Sequence, residues 1–169
     1  KLPCRFSDFA ENGWTISSTG DSTETTIPGL DDVSIQLSKD GKKIYVNAYN
    51  YSGNTKKIKD CMIGLVEFQT YYGTDHKIAK GISTKSNVDE IKEAFGIPTN
   101  SNTGSSYETL TYSFDDSYLS FVKFNIDSDP KYSTIQLKNY VKTDADKTET
   151  NTAVPLYLND YKAPSELGN

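Results

Sequence analysis

Val33-Ser34-Ile35-Gln36-Leu37-Ser38-Lys39-Asp40-Gly41-Lys42-Lys43-Ile44-Tyr45-Val46-Asn47-Ala48 is the stretch on which the fold turns. Val33, Ile35 and Leu37 alternate with polar residues, Asp40-Gly41 supplies a turn, and Ile44, Val46 and Ala48 alternate back. Successive side chains of a strand point to opposite faces, so this pattern reads as a β-hairpin with one apolar face. The period returns further on. Leu110, Tyr112 and Phe114 alternate, Asp115-Asp116-Ser117 turns the chain, and Val122, Phe124 and Ile126 follow in phase. A second turn at Asp127-Ser128-Asp129-Pro130 leads to Ile135 and Leu137. Cys61 to Phe68, after the polar excursion of Asn54 to Lys59, adds the strand that completes the first set.

A brief helix precedes each set. In Ser83-Thr84-Lys85-Ser86-Asn87-Val88-Asp89-Glu90-Ile91-Lys92-Glu93-Ala94-Phe95-Gly96-Ile97-Pro98, Ser86 or Asn87 caps the first turn with an acid three residues on. Val88, Ile91 and Phe95 share one face, and Gly96 and Pro98 end the helix. Phe6 to Asn12 is a weaker counterpart, stopped by Gly13, with Trp14 entering the core. The expected fold is therefore α+β, with two tandem units of short helix plus three-stranded antiparallel meander in residues 1–73 and 74–141. Thr15 to Pro28, rich in Ser, Thr and Gly, is expected to be a surface loop. Residues 142–169 form a polar linker and tail, in which Val154, Leu156 and Leu158 suggest an edge strand.

Composition narrows the function. Twelve Tyr and 7 Phe supply large buried areas that offset an otherwise modest apolar content, so a packed core is expected. A net charge of −5, with lysines in scattered pairs such as Lys42-Lys43 and Lys56-Lys57, excludes the basic footprint of a nucleic-acid binder. No run reaches the roughly 18 apolar residues of a spanning helix. A chain starting at Lys1 without methionine is expected to have lost an upstream leader, a lipid-attachment segment or a tag, and a lipid anchor there would be its only link to a membrane. Cys4 and Cys61 are read in two ways, as a disulfide closing a long loop or as two separate buried thiols.

Catalytic chemistry is hard to assemble from these residues. His76 is the single histidine and sits in Gly73-Thr74-Asp75-His76-Lys77, a loop context with no nucleophile elbow beside it. One histidine and two distant cysteines do not make a zinc site. The acidic pairs at Asp31-Asp32, Asp115-Asp116, Asp127-Asp129 and Asp144-Asp146 fit turns better than calcium loops. Neither metal nor cofactor is expected. Two carboxylates brought together from distant strands would leave no local trace, so a polysaccharide hydrolase is the rival reading, and a structural spacer a third. The positive hint is aromatic. Tyr45, Tyr49 and Tyr51 lie opposite the apolar phase and Tyr71-Tyr72 follow a strand end, so they either form a platform for a protein or cell-wall glycan or cover neighbouring strands.

Leu2-Pro3, Phe6-Ser7-Asp8-Phe9, Gly13-Trp14, Lys59-Asp60-Cys61, Gly81-Ile82-Ser83-Thr84 and Phe95-Gly96-Ile97-Pro98-Thr99 carry a resemblance over residues 2–141. The chain resembles exported or lipid-anchored proteins of Gram-positive bacteria. Its helix motif is similar to the short repeat of the β-lactamase-inhibitor-protein-like and outer-membrane-assembly-lipoprotein folds. The resemblance implies an extracellular or envelope location and a non-enzymatic binding role, and it transfers no ligand.

Overall fold

The structure, a computed structural model, describes residues 2–72, 76–114, 117–124 and 133–139. Eleven strands and two short helices occur among them, in the order β1 (Cys4–Arg5), α1 (Phe6–Glu11), β2 (Thr15–Ile16), β3 (Thr26–Ile27), β4 (Asp32–Lys39), β5 (Lys42–Tyr49), β6 (Lys56–Lys57), β7 (Met62–Gln69), α2 (Val88–Phe95), β8 (Asn100–Thr103), β9 (Tyr107–Phe114), β10 (Ser117–Phe124) and β11 (Thr134–Asn139). Three single-turn 3-10 helices lie at Ile58–Asp60, Thr70–Tyr72 and Ala79–Gly81.

The expectation of two tandem helix-plus-meander α+β units is corrected. The protein is mostly β, with one nine-stranded antiparallel sheet ordered β2-β4-β5-β7-β11-β10-β9-β8, β1 paired beside β7, and a small second sheet of β3 and β6. The cause is the edge of each meander. β7 and β11 would each end a three-stranded sheet with a row of unpaired backbone groups, and they pair with one another instead, from Thr134 opposite Gln69 to Lys138 opposite Leu65. Alternation specifies each strand's faces but carries no record of which edges meet. The acidic turns at 115–116 and 127–129, the Gly73–Asp75 approach to His76, and the linker, tail and edge strand of 142–169 lie outside the described residues.

Local chemistry explains the elements. Asp40 and Gly41 both have positive φ, 50° and 75°, as the tightest hairpin turn requires, and Lys39 faces Lys42 across it. At α2, the backbone N–H of Glu90 donates to Asn87 Oδ1 at 2.9 Å while that of Asn87 donates to Glu90 Oε2 at 2.8 Å, a reciprocal capping box. Gly96, at φ 80°, ends the helix, and Lys80 Nζ donates to the Ala94 carbonyl at 2.7 Å. Helix α2 then lies over β9 and β10, with the Phe95 ring 5.7 Å from both Tyr112 and Phe121, and Tyr112 donates its hydroxyl to the Gly96 carbonyl at 3.1 Å.

One core cluster runs the width of the sheet. Its spine is a cross-strand row of Ile35, Val46, Val66, Leu137, Leu119 and Tyr112, each directly opposite the next and each buried. Phe6 of α1, Ile91 and Phe95 of α2, and Ile27, Ile58, Ile78 and Ile82 from the connections complete the same cluster. At roughly 1.5 to 3 kcal/mol for each large apolar side chain taken out of water, this layer is the principal source of stability.

Candidate functional site

One residue along each strand from the buried row stands a second row that points the other way. Gln36, Tyr45, Glu67, Gln136, Ser120 and Thr111 are successive cross-strand partners on β4, β5, β7, β11, β10 and β9, and Asn100 of β8 continues the line. All but Asn100 are half-buried, as expected for side chains packed side by side on a sheet face.

These side chains are tied to one another. Ser17 Oγ donates to Gln36 Oε1 at 3.2 Å, and Gln36 stands directly opposite Tyr45 on the neighbouring strand. The Tyr72 and Tyr45 hydroxyls are 2.9 Å apart. The Glu67 carboxylate accepts from the Gln69 amide on one oxygen and from the Gln136 amide on the other. Gln136 Oε1 accepts from Tyr118 at 3.3 Å, and the Thr111 and Ser120 hydroxyls meet at 3.4 Å. Lys138 Nζ sits 5.1 Å over the Tyr118 ring. The hydrogen bond with Tyr45, and then burial, push the Tyr72 hydroxyl's pKa upward; burial followed by the Glu67 charge does the same at Tyr118. Both phenols therefore stay protonated donors through the physiological range.

The five tyrosines singled out in the sequence divide into two groups. Tyr45, Tyr71 and Tyr72 form one cluster. Tyr71 and Tyr72 lie in the 3-10 turn after β7, which brings the Tyr72 ring to 5.6 Å from Tyr45 and 5.0 Å edge-on from Tyr71. Lys43 Nζ lies 5.8 Å over the Tyr72 ring, and Tyr71 is 58% exposed. Tyr49 and Tyr51 are a separate pair, stacked nearly parallel at 5.7 Å and 7°. Tyr49 follows Tyr45 by four residues on the same face of β5, about 13 Å along the strand.

Two features hold that second pair. Asn50, between the two tyrosines and only 1% exposed, donates to the carbonyls of Ile27, Pro28 and Asn54 at 2.7 to 3.0 Å and accepts from Ser52 N–H and Oγ. It ties the loop after β5 to the loop before β4. Gly64 sits at the irregularity in the β5–β7 register, where a Cβ would come within 3.1 Å of both the Tyr49 ring and the Asn139 carbonyl. Burial, with the nearby Asp32 charge second, raises the Tyr49 pKa strongly.

Gln36, Glu67, Gln136, Tyr118, Ser120 and Thr111 were not singled out as candidates from the sequence. Their signal was present as the polar phase of the same alternation that defines the core. His76 packs its ring against Phe68 at 5.3 Å and Trp14 at 6.2 Å. Among the described residues no group of three His, Cys, Asp or Glu is placed to hold a metal, and no helix is long and apolar enough to cross a membrane.

Cys4 and Cys61 are both free thiols. Cys4 pairs with Ile63, while the Phe6 N–H donates to the Cys61 carbonyl, so the cysteines are diagonal neighbours, Cys4 on β1 and Cys61 just before β7. Diagonal positions are about 7 to 8 Å apart, beyond what a disulfide closes without backbone movement. Burial raises Cys4 to about 11 and raises Cys61 as well, and Cys61 Sγ donates to the Lys57 carbonyl at 3.2 Å. Beside Cys4, a shallow groove of about 800 Å³ runs between Arg5, Phe9, Trp14 and Met62. Lys39 borders it but is engaged, with Nζ donating to the Asn12 carbonyl at 2.6 Å.

With this geometry the chain is a mostly-β protein whose sheet has one covered apolar face and one networked polar-aromatic face. It matches no protein-family model, and no curated protein or solved structure matches it.

Proposed function

We propose that the protein is a non-enzymatic binding module of the cell surface or envelope, and that it takes a cell-wall glycan on the polar-aromatic face of its sheet. The observation that carries this reading is the unbroken row of cross-strand partners from Gln36 through Tyr45 and Glu67 to Thr111, held in three hydrogen-bonded groups: Tyr45 with Tyr72, Glu67 with Gln69, Gln136 and Tyr118, and Ser120 with Thr111. Side chains already fixed by one another lose little rotamer freedom on binding, which lowers the entropic cost of association. Tyrosine rings with amide and carboxylate groups beside them suit sugars, which present both C–H faces and hydroxyls.

A glycan is favoured over a protein partner by the lack of an apolar centre. Protein interfaces bury a desolvated apolar core within a polar rim. The large apolar side chains exposed among the described residues are Leu30, Tyr71 and Ile97, which lie on separate connections and form no patch on this face. The location outside the cell is supported by the resemblance carried by Gly81-Ile82-Ser83-Thr84 and Phe95-Gly96-Ile97-Pro98.

Affinity electrophoresis through gels containing bacterial cell-wall polysaccharides tests the reading. The native protein is retarded, and Tyr45→Ala and Tyr72→Ala each weaken retention about tenfold, a loss of about 1.4 kcal/mol. Equal retardation of native and variant proteins, or none for either, contradicts it.

A further inference from the structure

The row has a length as well as a chemistry. Its six members stand on six adjacent strands, β4, β5, β7, β11, β10 and β9, with no strand skipped. Neighbouring strands lie about 4.8 Å apart, so polar groups recur at that interval across about 24 Å. That interval is close to the length of one sugar ring in an extended polysaccharide. A glycan laid along the strands would instead leave this row after one or two sugars.

Charge points to the ligand class. Within the row Glu67 is the one acidic side chain, the flanking Lys43 and Lys138 are each drawn over a tyrosine ring, of Tyr72 and Tyr118, and the chain as a whole carries −5. A polymer bearing carboxylates or sulfates would bring like charge onto Glu67. A carboxylate offers about four acceptor positions. Gln69 and Gln136 occupy one on each oxygen, which leaves about two for donors from above the sheet. Two neighbouring sugar hydroxyls fill that requirement.

Resting on the glycan-binding reading above, we infer that the ligand is an uncharged, extended polysaccharide lying across the strands, about one sugar per strand, with Glu67 accepting from a pair of adjacent sugar hydroxyls. Tyr45 and Tyr118, on either side of Glu67, supply ring faces and the remaining hydroxyl contacts. Thr111 and Ser120 mark the far end of the track on β9 and β10.

The test is calorimetric titration with uncharged oligosaccharides of increasing length, their parent polymer, and the same polymer after carboxymethylation. Affinity climbs with each added sugar until about six are present and then levels. Carboxymethylation weakens binding about tenfold or more, as does Glu67→Gln, which replaces a charged acceptor with an amide that opposes the two glutamine donors. Tyr118→Phe removes a hydroxyl while keeping the ring, and it serves if Glu67→Gln disturbs the fold. An affinity that levels at one or two sugars, or equal binding of the carboxymethylated polymer, overturns this inference and leaves the glycan-binding reading standing. Binding to no glycan of any length or charge overturns both.

Discussion

Leu119 and Ser120 are adjacent on β10 and belong to two rows of the same sheet that do different work. Leu119 stands in the buried row, fully covered, between Leu137 and Tyr112. Ser120 stands in the outer row, half-buried, between Gln136 and Thr111. The backbone conformation and strand partners are shared, so any contrast between the rows comes from the side chains and what covers them. The inner row is held by apolar burial, which is non-directional and large. The outer row is held by directional hydrogen bonds of modest net stability, about 1 kcal/mol each, that fix side chains in place. Stability belongs to the inner face, and the proposed recognition falls to the outer one.

The largest effect expected from breaking this contrast is Leu119→Ala. It costs about 3 kcal/mol of unfolding free energy by chemical denaturation, through lost transfer energy and the cavity left behind. Ser120→Ala, one position away, stays within about 0.5 kcal/mol while weakening glycan retention. A Ser120→Ala loss as large as that of Leu119→Ala would mean the outer face is part of the fold's foundation.

Asn50→Ala comes next, at about 2 to 3 kcal/mol, because it strips partners from carbonyls at Ile27, Pro28 and Asn54 in a buried setting. It also loosens the Tyr49–Tyr51 stack, which near-ultraviolet circular dichroism reads directly. Gly64→Ala costs about 1 to 2 kcal/mol in thermal denaturation, since the new methyl meets the Tyr49 ring and the Asn139 carbonyl at 3.1 Å.

The smallest effect lies away from both rows. Glu24 pairs with Lys57 and Lys59, both at 2.6 Å, and those hydrogen bonds lower its pKa to about 2. A depressed carboxylate stabilises above its unfolded value near 4.3 and loses that contribution as pH falls toward about 2. The group is fully exposed, so added salt should erase the dependence, and comparing acid titrations of native protein and Glu24→Gln at low and high salt checks it.

What could be read in advance follows the range of the interactions. The phases of Ile35, Val46, Leu119 and Leu137 are set by alternation along a few residues, and the Asn87–Glu90 cap by neighbours three apart, so both are written locally. The joining of β7 to β11 is not, because the stretch from Gln69 to Thr134 has no local signature of where its ends meet. That pairing turned two expected units into one sheet. It also decides the outer row. Gln136 and Glu67 read as ordinary solvent-side residues until β11 lies beside β7 and puts the amide on the carboxylate. Tyr45, Tyr71 and Tyr72 were recognisable as an aromatic surplus, whereas their clustering depends on the 3-10 turn that folds Tyr72 back onto β5. Tyr49 and Tyr51 required both the buried Asn50 hub and the missing Cβ of Gly64.

Amide and side-chain NMR during titration with an uncharged cell-wall oligosaccharide tests the division of labour between the faces most directly. Shift changes confined to Gln36, Tyr45, Glu67, Gln136, Ser120 and Thr111, with Phe95, Leu119 and Phe121 unmoved, are the expected result. Changes centred on α2, on the groove beside Trp14, or on no contiguous set of strands would contradict it.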